Sequence, residues 1–124
     1  MNGSYLSVET CSFYGFQSPS ADSQAIAGWS GPGPYRIINS YLEGAGENVI
    51  FGGNDSAGAA FDPADIEIRD CHMFKPLAWK GTAIVVKNLF ELKNARRVLV
   101  VNNLMENHWA KSRSEWRECA VHGS

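Results

Sequence analysis

The sequence predicts an all-β domain, a solenoid of parallel strands with about four coils. Three observations lead to this prediction: a short apolar pattern occurs four times, its spacing is nearly constant, and no amphipathic helix separates the copies. The copies lie at residues 8–13, 37–42, 68–73 and 100–105, with spacings of 29, 31 and 32 residues. Short strands at a fixed period, without intervening helices, are typical of solenoids in which one period forms one coil.

Each copy begins as a half-buried strand and then bends. Residues 66–69 alternate apolar and charged side chains, which is the pattern of a strand with one face in the core. A small residue follows and marks a tight bend. These small residues form a predicted column of Cys11, Ser40, Cys71 and Asn103. The next inward column is Phe13, Leu42, Met73 and Met105. Further strands are predicted at residues 24–29, 48–52 and 89–93.

The alignment of the copies also predicts which side chains stack on neighbouring coils. Val8, Ile37, Ile68 and Val100 should stack inside the solenoid. Arg36 should lie over Glu67 on the outside, a favourable pair of opposite charges. Cys11 and Cys71 fall two coils apart, about 9–10 Å, which exceeds the ~7 Å limit for a disulfide. They are therefore expected to be free thiols.

The ends of the solenoid predict the domain organisation. Residues 1–109 are expected to form the coils, and residues 110–124 a tail or a short capping helix. Trp116, Cys119 and Ala120 would give such a helix one apolar stripe. Residues 1–4 are too few to cap the first coil. We therefore expect a homo-oligomer that associates through the N-terminal coil, or a chain that is part of a longer protein.

Composition excludes two classes of partner. The net charge is −2 and the sequence pI is about 5.9, so no field favours nucleic acid. No apolar run reaches the ~18–20 residues of a membrane-spanning helix, so no membrane partner is expected. The residues after Met1 lack the basic start and apolar stretch of a secretory signal.

The four copies, together with residues 22–29, 31–35, 46–53 and 87–94, resemble the repeats of bacterial right-handed parallel β-helix proteins. These proteins have the pectate-lyase-like fold and largely unassigned functions. The resemblance covers about residues 5–109. It implies a carbohydrate-related function and an extracellular or periplasmic location. Such proteins are usually much longer, which suggests that this chain is a segment of a longer solenoid.

Candidate ligand-binding residues are aromatic and basic side chains near strand ends: Trp29, Lys75, Trp79, Lys80 and Trp109. Exposed indoles stack on sugar rings, and residues 75–80 share one insertion between coils. The alternative is that these tryptophans anchor loops by packing. Asp62 and Asp65 are candidate Ca²⁺ ligands, since carboxylates and loop carbonyls suit that ion. The alternative there is ordinary turn chemistry before Pro63. No other cofactor is predicted.

Two functions remain open. The first is a binding module whose loops hold a polysaccharide or a protein partner. The second is a polysaccharide lyase or glycoside hydrolase acting on an acidic or neutral polysaccharide. Enzymes that share this resemblance use a basic residue beside Ca²⁺, or paired carboxylates. The candidates are Lys75, Lys80, Asp62, Asp65 and Glu47. No two predicted outward acids share a column one coil apart, which favours the binding module. His72 is predicted to be an ordinary surface histidine.

Overall fold

The computed structural model describes residues 1–53 and 57–109. Within these residues, eleven strands form three sheets, and every strand pair is parallel. The first sheet contains β1 (Leu6–Glu9), β4 (Tyr35–Ile38), β7 (Ala64–Arg69) and β10 (Arg96–Val101). The second contains β2 (Ser12–Phe16), β5 (Tyr41–Gly44), β8 (His72–Phe74) and β11 (Leu104–Glu106). The third contains β3 (Gln24–Gly28), β6 (Glu47–Phe51) and β9 (Phe90–Leu92).

The prediction of an all-β parallel solenoid is confirmed, and so is its register. Ile37 pairs with Val8 on one side and with Ile68 on the other, and Ile68 pairs with Val100. The inward column from Phe13 to Met105 is also in register. The described residues form about three turns rather than the predicted four, since their part of the fourth turn contains only β10 and β11. The predicted cap at residues 110–124 lies outside the described residues.

Helix contributes little to the described residues. The helical segments are single 3₁₀ turns at Ala59–Phe61 and Leu77–Trp79. Neither has the length or apolar character needed to cross a membrane.

A left-handed residue at each bend separates the strand in the first sheet from the strand in the second. The bend column consists of Thr10, Asn39, Asp70 and Asn102, with φ angles of 53°, 48°, 56° and 53°. Asn and Asp tolerate this region better than most residues, and here they turn the chain from the first sheet into the second. The small residues that follow interact across turns, since the amide of Cys11 donates to Ser40 Oγ at 3.2 Å. The amide of Cys71 likewise donates to Asn103 Oδ1 at 2.9 Å.

The core lies between the three sheets and consists of the inward columns. Ile37, Ile68, Leu42 and Met73 are completely buried. The predicted outward pair is also present, with Arg36 Nε 3.4 Å from Glu67 Oε2. Cys11 is an exposed free thiol and Cys71 a buried one, as expected.

The N-terminal residues contact the third sheet at the end of β3, and the expectation that residues 1–4 are too few to cap the first coil stays a prediction. The amino group of Met1 donates to the carbonyl of Ala27 at 2.7 Å. Asn2 Oδ1 accepts from the amide of Trp29 at 2.9 Å. An Asn side chain can satisfy edge amides without forming a strand, so these few residues cover part of one edge. The predicted homo-oligomer stays a prediction.

Candidate functional site

Lys75 lies at the corner between the second and third sheets and is fully buried. Its Nζ donates to the carbonyls of Gly44, Ala45 and Gly46, at 2.6, 2.9 and 3.4 Å. Burial lowers the pKa of Lys75 to about 7, against the opposing attraction of Glu47. In this arrangement the Nζ group holds three backbone carbonyls of one corner together, and ligand binding by Lys75 stays a prediction.

The predicted tryptophans lie in two places. Trp79 and Trp109 pack in one small apolar cluster with Ala45 and Val86, as the packing alternative expects. Trp29 is partly exposed just after β3. Lys80 is exposed in the same excursion as Trp79. The structure therefore brings two of the five predicted binding residues together, and ligand binding by this set stays a prediction.

The predicted acidic residues have partners within the protein. Both oxygens of Asp65 accept from Arg97, at 2.6 and 3.0 Å, and this hydrogen bond lowers the pKa of Asp65. Asp62 Oδ1 accepts from Asn94 Nδ2 at 3.3 Å. Among the described residues, no group of three or more His, Cys, Asp and Glu could hold a metal ion. Glu47 is buried, which raises its pKa, and accepts from Gln24 at 2.8 Å. The Ca²⁺ site stays a prediction.

A different group of side chains lies on the outer face of the second sheet. Tyr41 on β5 pairs in register with His72 on β8, and Phe74 follows two residues later on the same face. The Tyr41 and His72 rings meet edge to face at 5.3 Å. The Phe74 ring lies 5.6 Å from His72 and 6.2 Å from Tyr41. We call these three residues the aromatic ladder.

Two carboxylates flank the aromatic ladder. Glu43 Oε1 accepts from the Tyr41 hydroxyl, and Glu43 Oε2 accepts from the amide of Gly15, both at 2.8 Å. Burial raises the pKa of Tyr41 to about 12, with further contributions from Glu43 and Glu106. Glu106 Oε1 lies 2.9 Å from His72 Nε2, an ion-pair distance without the alignment of a hydrogen bond.

A groove of about 500 Å³ runs across the turns beside the ladder. Its floor is the bend column with the neighbouring small residues, and one wall is formed by Tyr41, His72 and Leu104. This volume is in the range of ligand-binding clefts. The lining combines polar side chains of the bends with the rings of Tyr41 and His72, and it includes residues of all four turns.

The sequence analysis missed this face, although a signal for it was present. The repeat alignment placed Leu42 and Met73 inward, so the residues on either side had to point outward. Extending the columns by one position gives Tyr41 with His72, and Glu43 with Phe74.

No protein-family model matches the chain, and neither a curated protein nor a solved structure matches it.

Proposed function

We propose that the protein binds a polysaccharide along the aromatic ladder and the groove beside it. The observation that carries this proposal is the cluster of contacting rings of Tyr41, His72 and Phe74 next to a groove lined by polar residues of all four turns. The pectate-lyase-like resemblance, with the bacterial origin and the extracellular or periplasmic location it implies, belongs to the same proposal.

The spacing of the turns suits a repeating ligand. Parallel strands in successive turns are about 4.8 Å apart, close to the length of one pyranose unit in an extended chain. Tyr41 and His72 occupy equivalent positions on neighbouring turns. A polysaccharide lying along the solenoid would therefore present successive sugars to equivalent side chains.

The chemistry of the face also suits sugars. Aromatic rings offer apolar surface to the C–H faces of pyranoses, while the polar groups beside them satisfy hydroxyls. Asn39 and Asn102 line the groove with amides, and Asp70 adds a carboxylate. Asn39 Nδ2 donates to Thr10 Oγ1 and Asn102 Nδ2 donates to Asp70 Oδ1, so the remaining polar atoms of these side chains are the ones that would bond sugar hydroxyls.

The lyase or hydrolase alternative has weaker support among the described residues. Lys75, one of its two basic candidates, directs Nζ to three backbone carbonyls, while the other, Lys80, is exposed. Both oxygens of Asp65 are engaged by Arg97. The proposal is accordingly a binding module. The same face is its contact surface if the partner is a protein rather than a polysaccharide.

Calorimetric titration with neutral polysaccharides tests the proposal. We expect Tyr41→Ala to weaken binding by about tenfold, since an aromatic contact contributes on the order of 1 kcal/mol beyond its buried area. Tyr5→Ala is the matched control, because Tyr5 is 85% exposed and lies outside the ladder and groove. Unchanged binding by Tyr41→Ala, or equal losses in both variants, would refute the site. Release of reducing or unsaturated products would support the enzyme alternative.

A further inference from the structure

We propose that the aromatic ladder and its groove select polysaccharides that carry no carboxylate or sulfate groups. This inference rests on the proposed function and specifies its ligand class. The charges of the face carry it. Within the described residues, the four strands of the second sheet contain the acids Glu43 and Glu106 and no lysine or arginine. Asp70 adds a third carboxylate in the groove.

Asp70 is partly compensated by Arg69, whose Nη1 lies 3.8 Å from Asp70 Oδ2, whereas the charges of Glu43 and Glu106 are only weakly compensated. The two hydrogen-bond donors to Glu43 described above are neutral, so they orient the carboxylate without cancelling its charge. Glu106 is close to His72, which offsets the charge only when the imidazole is protonated. A carboxylate held by neutral donors still repels an anion that approaches across water.

Two arginines on the neighbouring first sheet, Arg36 and Arg69, are already paired with acids. Arg69 contacts Glu67 at 2.8 Å and Asp70 at 3.8 Å. Arg36 lies 3.4 Å from both Glu9 and Glu67. Lys75 is buried and cannot reach a ligand on the outer face. A uronate on the ladder would therefore lie near carboxylates, and none of Arg36, Arg69 and Lys75 would be free to neutralise it.

The expected discrimination follows from Coulomb's law. Each uronate stacked on the ladder would lie within about 5 Å of a protein carboxylate, and two such contacts in water weaken binding roughly tenfold at low salt. The effect should shrink as salt is added, because exposed charges are screened over about 10 Å at 0.1 M ionic strength. A glycan with free amines should show the opposite preference.

Matched glycans test the selectivity. The first pair is a polyuronate and its fully methyl-esterified form, which share a backbone and differ in charge. The second pair is chitosan and acetylated chitin oligomers. We expect roughly tenfold tighter binding of the ester than of the acid at low salt, and tighter binding of chitosan than of chitin.

In the double variant Glu43→Gln/Glu106→Gln, the dissociation constants of the methyl ester and of the polyuronate should differ by no more than about twofold. Glu9→Gln is the control on the first sheet and should leave the difference unchanged. Equal or tighter binding of the polyuronate by the unmodified protein would overturn the selectivity while leaving polysaccharide binding intact. Failure to bind any of the four glycans would overturn the proposed function and this inference with it.

Discussion

Replacing Lys75 with methionine should remove a pH dependence from the stability of the protein. The lysine side chain is fully buried, and burial lowers its pKa from 10.5 to about 7. Methionine has a similar length and carries no charge. It leaves the three corner carbonyls without their donor, so the variant differs from the parent at every pH. The informative quantity is how that difference changes with pH.

The sign follows from proton linkage. Between about pH 7 and 10.5 the unfolded chain holds a proton on Lys75 that the folded chain has released. The free energy of unfolding therefore rises with pH in this range, by up to ~1.4 kcal/mol per pH unit. Over the whole interval the gain is about 5 kcal/mol. Below pH 7 both states are protonated, and this contribution to the slope disappears.

Urea unfolding of both proteins at pH 6, 7, 8, 9 and 10 measures the effect. Subtracting the variant from the parent cancels groups common to both, including Cys71 and the carboxylates. We expect the parent to gain several kcal/mol relative to Lys75→Met between pH 7 and 10. Lys80→Met, at an exposed lysine of the same excursion, should show no such gain. A flat difference would show that the carbonyls keep the ammonium charged, and would refute the reasoning.

Three further predictions concern the core, a corner and the thiols. Ile37→Ala should lower the free energy of unfolding by about 3 kcal/mol, because Ile37 is completely buried. Val100 is 36% exposed, so Val100→Ala should lower it by under about 1 kcal/mol. Equal losses for the two variants in urea unfolding would contradict the packing described here. Asn48→Ala should cost about 2–4 kcal/mol by the same measurement, because Asn48 Nδ2 donates to two backbone carbonyls at 2.8 Å; an unchanged midpoint would show that water replaces it. In a Cys119→Ser background a thiol reagent should modify Cys11 at once and Cys71 only on unfolding, because Cys71 is buried and burial raises its pKa; rapid loss of both thiols would contradict this.

The sequence predicted the stacking because two constraints agreed at each strand. Apolar alternation fixed which face of residues 66–69 is buried, and the constant spacing fixed the partner on the next turn. Once one residue is paired with its partner on the next turn, the pairing of the other residues in the two parallel strands follows. The bend was harder to interpret, since the left-handed conformation of Asn39 and Asp70 divides one predicted segment into two strands. The predicted count of about four coils exceeds the three complete turns of the described residues. The copy at residues 100–105 falls in a fourth turn that contains strands of the first two sheets only.

The positions of the predicted loop residues were harder to predict, because they depend on how a long excursion folds. Residues 75–88 follow β8 and pack against the first and second turns. There the amide of Val85 donates to the carbonyl of Ser18 at 2.9 Å. Along this path Trp79 is buried, and Lys75 at its start is buried as well. From the sequence, both residues were predicted to lie in a binding loop. Strand periodicity contains no information about this contact. The ladder itself needed only the outward columns of the second sheet.

Titration of ¹⁵N-labelled protein with a neutral oligosaccharide, followed by amide chemical shifts, tests the central claim most directly. Binding on the outer face of the second sheet predicts shifts at Tyr41, Glu43, His72 and Phe74 that saturate together. The amide of Arg36, on the first sheet, should stay in place. Saturable shifts confined to residues 75–80 or to Trp29 would contradict the account and favour the loops instead. The absence of any shift at saturating ligand would contradict polysaccharide binding itself.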